Sequence, residues 1–165
     1  MKQKLTAYPP LAIANYFIAH SSDPLLDLMK IQKMIYMAHG IALALYEERL
    51  INEAIEAWRY GPVIRSVYAA FRNYGLNALK KTVKNSNGKT YHIQDKDSHA
   101  KSILDSVINI CKGKTGIQLS NWSHADGSPW DEVYNKTLYG DSGYAEIPNK
   151  QIKKYFSHKT LPAQN

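Results

Sequence analysis

The chain has 165 residues, the usual length of one domain with one sizeable hydrophobic core. Hydrophobic residues make up 44% and charged residues 21%, a composition that is typical of a globular protein and excludes a disordered or fibrous chain. The formal net charge of +7 permits attraction to nucleic acid, an anionic membrane or an acidic protein, and its sign alone does not choose among these partners.

Cysteine usage and the apolar segments predict a cytoplasmic protein. Cys111 is the single cysteine, so the fold needs no internal disulfide and no oxidising compartment. Residues 1–10 lack the apolar run and the small-residue cleavage site of a secretory signal. The apolar segment 25–45 contains Lys30 and Lys33, whose charges are costly in the middle of a membrane. We therefore expect a core helix in that segment and no membrane partner.

Hydrophobic spacing predicts two helices near the N-terminus. Residues 11–20 carry apolar side chains along one helical face. Asp23 as a cap and Pro24 as the first helical residue predict the start of a second helix. That helix is apolar nearly all round, so we expect it to run through the middle of the core.

The next segments are shorter. Residues 50–57 suit either a brief strand or an extended link. Gly61 and Pro62 predict the start of a third helix, because proline in a first turn needs no amide hydrogen. Gly75 suits the end of that helix, since glycine readily adopts the left-handed cap conformation.

A hairpin is predicted over residues 82–93. Asn87-Gly88 accommodates the positive backbone angles of a tight turn between two short β-prone runs. Lysines along the segment would discourage pairing of its edges with other chains.

The last third of the chain predicts further helices. Residues 98–112 and 115–122 read as two of them. Ser128 as a cap followed by Pro129 as the first residue predicts another helix start, close to a capping box. Asn149 is the predicted cap of a final helix.

These elements predict a single compact domain, mainly α, with about six helices and a small β-hairpin. We place this domain at residues 10–157, between an N-terminal tail of residues 1–9 and a C-terminal tail of residues 158–165.

Patterns that carry catalysis or bind a cofactor are weak in this sequence. The histidines lack the spacing of metal ligands, and no glycine-rich phosphate loop occurs. Residues 140–143, GDSG, match the residues around the nucleophile of trypsin-like proteases, but the chain is too short for two β-barrels. We expect no catalytic site, no metal and no cofactor.

Two alternative functions stay open. Positive charge with twelve tyrosines suits a nucleic-acid-binding protein such as a transcriptional regulator, through phosphate pairing and base stacking. No RNA-recognition, zinc-finger or basic-zipper signature accompanies this charge. An enzyme of unrecognised type would rest on Lys33, His124 and Asp126.

Three ordered pieces carry a resemblance to a known family. Residues 28–36, LMKIQKMIY, resemble the L-x-K-L-x-K-L-x-Y helix of the Panacea-domain proteins, bacterial and phage antitoxins that include the phage-associated proteins. Residues 56–63, EAWRYGPV, resemble the second signature of that family, and Ser123-His124 with Ser128-Pro129-Trp130 resembles the third. The resemblance covers about residues 10–157.

The resemblance implies a mainly helical cytoplasmic domain that neutralises a toxin, usually encoded by a neighbouring gene, by direct binding. One branch of the family is implied to deliver its toxin to a protease. The expected partners are therefore a cognate protein toxin and, for an adaptor, a protease.

Most signature residues have a simple structural interpretation. Trp58, Trp122 and Trp130 suit core anchors, since large aromatic side chains dominate core energetics, and Leu28 lies on an apolar side of the second helix. Gly61 and Pro62 suit a turn into a helix. Ser128 and Pro129 suit a helix start.

Three signature residues suit either an internal polar network or a partner-binding site: Lys33, Tyr36 and His124. Lys33 and Tyr36 lie three residues apart on one helical face, within reach of each other. Partner choice is expected in the variable exposed parts, first in the 80–96 hairpin and the 138–144 loop.

Overall fold

Helices dominate residues 4–136 and 144–158, the parts of the chain that the computed structural model describes. The helices of these parts are α1 Pro10–His20, α2 Leu28–Tyr46, α3 Arg65–Phe71, α4 Ser98–Cys111, α5 Gly116–Ser123, α6 Pro129–Tyr134 and α7 Asn149–Phe156. Three short strands, β1 Glu56–Trp58, β2 Gly61–Val63 and β3 Ala145–Glu146, form an antiparallel sheet in the order β2-β1-β3. The predicted fold class, mainly α with a small β element, is confirmed.

The helix α2 lies at the centre of the fold, as its apolar sequence predicts. It packs against α1, α3, α4, α5, α7 and β2. All residues from 30 to 40 are buried. The polar side chains of Lys30, Gln32, Lys33 and His39 are therefore inside the protein, where each needs a hydrogen-bond partner.

The start of α2 lies at Leu28, not at the predicted Pro24. Its cap is Asp27, whose side chain accepts a hydrogen bond from Lys30 N at 2.8 Å. Asp23, the predicted cap, instead forms an ion pair with the buried Lys30 ammonium. The prediction was wrong because two aspartates offer the same local capping chemistry, and the position of a buried charge decides between them.

Gly61 and Pro62 lie in a strand, not at the start of a helix. Trp58 lies opposite Gly61 and Ala57 lies opposite Pro62 in the antiparallel pair of β1 and β2. The helix α3 begins only at Arg65. Proline is tolerated here because β2 is an edge strand. The glycine-proline signal was misread because strand pairing overrides it.

The 82–93 segment contains one antiparallel bridge in place of the predicted two-stranded hairpin. The chain turns at Gly88, which has a φ of +75°. Asn15 of α1 bonds to the backbone on both sides of the turn, to Val83 N and O and to Tyr91 O, at 2.8 to 2.9 Å. The segment is therefore fastened to α1 rather than built as an independent ladder.

The helices α4, α5 and α6 lie where the sequence predicts them. Thr115 and Gln118 form a reciprocal capping box at the start of α5. Ser128 caps α6, and its Oγ accepts a hydrogen bond from Asp131 N at 3.1 Å. Pro129 is the first residue of α6, as predicted.

The helix α7 has a different cap from the predicted one. Pro148 is its N-cap, and Asn149 is its first helical residue. Asn149 Oδ1 accepts a hydrogen bond from His39 Nε2 at 2.8 Å, because His39 Nδ1 accepts the backbone N–H groups of Leu50 and Ile51. Burial lowers the pKa of His39 to about 4, so the ring is neutral at pH 7.

The segment before α1 contributes to the core. Leu5 and Tyr8 are buried, and Tyr8 forms a parallel bridge with Ile51. The Tyr8 hydroxyl donates to Asp97 Oδ2 at 2.7 Å, next to the start of α4. Leu5 and Tyr8 therefore pack in the core although they lie within residues 1–9, the segment that the sequence suggests is a tail.

Candidate functional site

Five signature residues, one of them in α2 and one in α6, meet at the turn between β1 and β2, residues 58–62, which we call the 58–62 hairpin. Trp58 pairs with Gly61, so Arg59 and Tyr60 form a two-residue tip. Both tip residues are exposed, whereas Gly61 and Pro62 are buried. The tip of the hairpin is thus exposed, whereas its base is buried.

Three side chains from three helices hydrogen-bond to alternate carbonyl groups of the 58–62 hairpin. Trp130 Nε1 of α6 donates to Trp58 O at 2.7 Å, and Ser120 Oγ of α5 donates to Tyr60 O at 2.7 Å. Lys33 Nζ of α2 donates to Pro62 O at 3.3 Å. These bonds fix the backbone of the hairpin, since a buried carbonyl left without a donor costs about 1–3 kcal/mol.

Gly61 lies directly against the helices beneath the hairpin. Its φ is +114°, a conformation that residues with a side chain rarely adopt. A Cβ at this position would collide with Lys33 Cε and lie 2.8 Å from Ser123 Oγ. The close approach of the hairpin to α2 and α5 therefore requires glycine.

Lys33 is a buried amine with little solvation by protein groups. Its exposed fraction is 1%, and among the described residues its Nζ donates one hydrogen bond, to Pro62 O. Burial lowers the pKa of Lys33 to about 7, and the charge of Asp27 partly offsets this effect. The amine is therefore close to the balance between its charged and neutral forms at neutral pH.

Tyr36 lies one helical turn beyond Lys33 and is equally buried. Its ring contacts Phe156 edge-on with centroids 5.4 Å apart, and Trp122 at 5.9 Å. Its hydroxyl is buried and has no hydrogen-bond partner within the described parts of the chain. Burial raises the pKa of Tyr36 far above its ordinary value, so the hydroxyl stays protonated.

His124 lies at the end of α5 and stacks on Trp130, with ring centroids 3.7 Å apart. Its Nε2 atom is buried and lacks a hydrogen-bond partner among residues 4–136 and 144–158. The pKa of His124 is lowered by burial first and by the charge of Lys33 second. The positive charge of Lys33 therefore disfavours a positive charge on the His124 imidazole.

The tryptophans of the signature differ in burial. Trp130 is 5% exposed, and its indole both stacks on His124 and bonds to the hairpin. Trp122 and Trp58 are half-buried. Trp58 faces outward from the sheet and stacks on Tyr144 at 4.2 Å. Trp58 is therefore better placed than Trp130 to contact a partner.

The remaining signature residues support this arrangement. Leu28 is partly buried and packs against the core at the start of α2. Ser128 is buried at the start of α6, where its Oγ donates to Ser123 O at 2.9 Å. This bond joins the ends of α5 and α6, which carry His124 and Trp130.

Ser120, which bonds to the tip of the hairpin, was not found by sequence reasoning. A serine inside a helix is usually unremarkable, and nothing in its local sequence indicates a partner 60 residues away. Gln32 of α2 is a second residue whose role its local sequence does not indicate. Its amide bonds to both Ile64 N at 2.9 Å and Ile64 O at 3.1 Å, which connects α2 to the start of α3.

Metal binding and membrane insertion are two further functions that the arrangement of side chains and helices bears on. The described residues contain no group of three or more His, Cys, Asp or Glu side chains placed to bind a metal ion. No helix in these parts is long and apolar enough to cross a membrane. Residues 140–143, with the protease-like tetrapeptide, lie outside the described residues, as does most of the 138–144 loop.

Fold and site together define a class of protein: a small helical domain in which three separate pieces of sequence converge on one hairpin. The family described as "Antitoxin SocA-like, Panacea domain" matches residues 31–131, more than half of the chain. Antitoxin SocA of Caulobacter vibrioides (strain NA1000 / CB15N) is 31% identical over 132 residues, which cover 75% of this chain and 69% of that protein. No solved structure matches. The chain belongs to the SocA-like, Panacea-domain family of antitoxins.

Proposed function

We propose that this protein is a non-enzymatic antitoxin that neutralises a cognate protein toxin, the product of a neighbouring gene, by binding it directly. Membership of the antitoxin family carries the proposal, because the matched residues 31–131 include the 58–62 hairpin and the three side chains that bond to its carbonyl groups. Neutralisation by occlusion needs a stable interface, which for proteins buries about 1,200–2,000 Å² in total.

In this proposal Lys33 and His124 position the hairpin, Tyr36 packs in the core against Trp122 and Phe156, and none of the three contacts the toxin. Lys33 and Tyr36 are each 1% exposed, so a partner cannot reach them without rearrangement of the core. His124 supports Trp130 by stacking, and Trp130 bonds to the hairpin. The exposed tip is the part of this arrangement that a partner meets.

Co-expression with the neighbouring gene product tests the proposal. We expect that product alone to arrest growth, and we expect the chain to restore growth and to co-purify with it. Gly61→Ala, which disturbs the base of the hairpin, should weaken the rescue, whereas Gly88→Ala should not. A neighbour that arrests growth equally with and without the chain, and that does not co-purify, would overturn the proposal.

The fate of the toxin distinguishes simple occlusion from delivery to a protease. After translation is stopped, a toxin that is only occluded persists in the complex. A toxin that is delivered disappears faster when the chain is present, and deletion of the protease restores it. Direct binding is common to both modes, so co-purification from protease-deficient cells is the shared requirement.

The net charge of +7 motivates the nucleic-acid alternative. Binding to duplex and single-stranded DNA, titrated with salt, tests it, because phosphate contacts weaken steeply as salt rises. Absence of affinity at low salt would remove this alternative.

A further inference from the structure

Arginine and large aromatic side chains gather on the outer surface around the 58–62 hairpin. Three of the chain's four arginines belong to this surface, whereas its seventeen lysines lie elsewhere in the sequence. We call it the arginine–aromatic face, and its members are Trp58, Arg59, Tyr60, Arg65, Tyr68, Arg72 and Tyr144.

The rings of this face are in contact with one another. Trp58 stacks on Tyr144 with centroids 4.2 Å apart and packs against Tyr68 at 4.9 Å. The Arg65 guanidinium lies 5.9 Å from the Trp58 ring centroid and 5.5 Å from that of Tyr144. At the tip, the Arg59 guanidinium lies 5.4 Å from the Tyr60 ring. Strand β1, helix α3 and the residue before β3 thus contribute to one cluster of rings, and the tip of the hairpin carries a second arginine–aromatic pair.

Exposure of these rings is high for aromatic side chains. Tyr60 is 58% exposed, Tyr144 is 52% exposed and Tyr68 is 38% exposed. Tryptophan, tyrosine and arginine are the residues most enriched among those that dominate binding at protein interfaces, and lysine is depleted there. The composition of the face therefore indicates a protein interface.

The charges of the face that form no ion pair within the described residues are positive. Arg65 is paired with Glu56 at 2.9 Å, so its charge is largely balanced. Arg59 and Arg72 are exposed and form no ion pair within the described residues. Arg72 follows Arg65 and Tyr68 at the spacing of one helical face. A partner that covers these arginines gains most if it carries carboxylates.

We propose that the arginine–aromatic face binds an acidic segment of a protein partner, with carboxylates against Arg59 and Arg72 and apolar side chains against the rings of Trp58 and Tyr68. This inference rests on the proposed function, since it takes the partner to be the toxin. The backbone of the hairpin is already fixed by Lys33, Ser120 and Trp130, so little conformational entropy is lost when the partner binds.

A protein segment fits the face better than nucleic acid does. The Trp58 ring is already stacked on Tyr144, which covers a surface that a base would use. Within the described residues, Arg59 and Arg72 are the unpaired cations of this face, and two cations are few for a phosphate backbone, which proteins bind through many such contacts.

The first test compares charge reversal on the face with charge reversal elsewhere. The variant Arg59→Glu with Arg72→Glu changes two exposed residues of the face. The control Lys112→Glu with Lys150→Glu changes the net charge equally at exposed positions directly after α4 and within α7. Affinity for the neighbouring gene product is measured by calorimetry, with circular dichroism as the check on folding.

We expect the face variant to weaken binding by about tenfold or more and the control to change it by less than about twofold. Arg59→Gln with Arg72→Gln removes charge without reversing it and should give an intermediate loss. Equal binding by the wild type and the folded face variant would overturn this inference and leave the proposed function intact.

The second test does not need the toxin. A short synthetic peptide of glutamate, glycine and leucine is titrated into the labelled protein at low salt, and a single-stranded oligothymidylate is titrated in parallel. We expect the peptide to shift the Trp58 indole signal and to leave that of Trp130 unmoved, and we expect the face variant to lose the shift.

The two tests distinguish a failure of the arginine–aromatic face from a failure of the proposed function. A peptide that binds through the face, together with a neighbour that does not bind, supports the face and overturns the proposed function. Oligothymidylate that shifts Trp58 where the peptide does not would overturn the protein partner in favour of nucleic acid. No shift with either probe, together with a neutral face variant, would overturn the inference.

Discussion

Replacement of Lys33 by methionine tests the electrostatics beneath the hairpin. The amine is 1% exposed and donates one long hydrogen bond, to Pro62 O. Burial lowers its pKa from 10.5 to about 7, which corresponds to about 5 kcal/mol against the charged form. Methionine has a similar length, adapts to irregular cavities and carries no charge. We expect the free energy of unfolding of Lys33→Met at pH 7 to lie within about 1 kcal/mol of the wild-type value or to exceed it.

The pH dependence of stability gives the sharper measurement. Because the folded pKa of Lys33 lies below the unfolded one, the unfolded chain binds more protons between pH 7 and 10.5, and stability rises with pH there. The limiting slope is about 1.4 kcal/mol per pH unit, so the wild type gains roughly 1.5–2 kcal/mol from Lys33 between about pH 7 and 8.5.

Other groups set the limits of this window. His39 and His124 have lowered pKa values, and their contributions are complete above about pH 7. Burial raises the pKa of Cys111 from 9.0 to about 12, so this thiol makes stability fall as pH rises above about 9. Between these limits Lys33 is the main source of a positive slope.

Urea unfolding of the wild type and of Lys33→Met at both pH values measures the difference. We expect the methionine variant to lose about 1.5 kcal/mol or more of the gain with pH. Lys30→Met is the matched control, because Lys30 is also buried in α2 but donates to Asp23, Cys111 O and Lys114 O. Loss of Lys30 should cost about 3–5 kcal/mol at both pH values.

Equal slopes in the wild type and in Lys33→Met would refute the reasoning. A Lys33 variant as unstable as the Lys30 variant would refute it too, since it would mean that Lys33 is a satisfied structural cation.

Two further predictions follow from the fold. Gly61→Ala should cost about 2–5 kcal/mol in urea unfolding, from backbone strain and collision with Lys33, whereas Gly88→Ala, with positive φ but open space around it, should cost about 1 kcal/mol; equal losses would show that the collision is absent. Asn15→Ala should cost about 1–3 kcal/mol and speed hydrogen exchange between residues 83 and 91 while α2 stays protected; unchanged exchange there would contradict the anchoring role of Asn15.

Helix starts were predictable where the signal is local and unambiguous. Ser128 followed by Pro129 caps α6 as expected, because cap, proline and first turn lie within a few residues of one another. The start of α2 was missed because Asp23 and Asp27 both suit a cap. Only the buried ammonium of Lys30, which also reaches two carbonyls far along the chain, decides their roles.

The 58–62 hairpin was not predictable from the sequence, because contacts distant in the sequence decide its structure. Gly61-Pro62 reads as a helix start when only its neighbours are considered. In the structure it is a strand, because β1 pairs with it and because the close contact with Lys33 requires glycine at φ of +114°. Strand pairing and close contact depend on the assembled core, and the spacing of hydrophobic residues along the sequence does not indicate them.

The bonds to the hairpin explain why the signature identifies the family more readily than it locates the contact surface. The three side chains that donate to the hairpin lie 29, 60 and 72 residues from the carbonyls that they reach. All three must therefore be held in the correct relative positions for the hairpin to form. Their side chains are buried or nearly so, and a partner gains nothing from them directly. The exposed side chains that the same backbone carries, Arg59 and Tyr60, have no such internal constraint. We infer that the buried residues fix the shape of the hairpin, while partner choice depends on the side chains displayed around it.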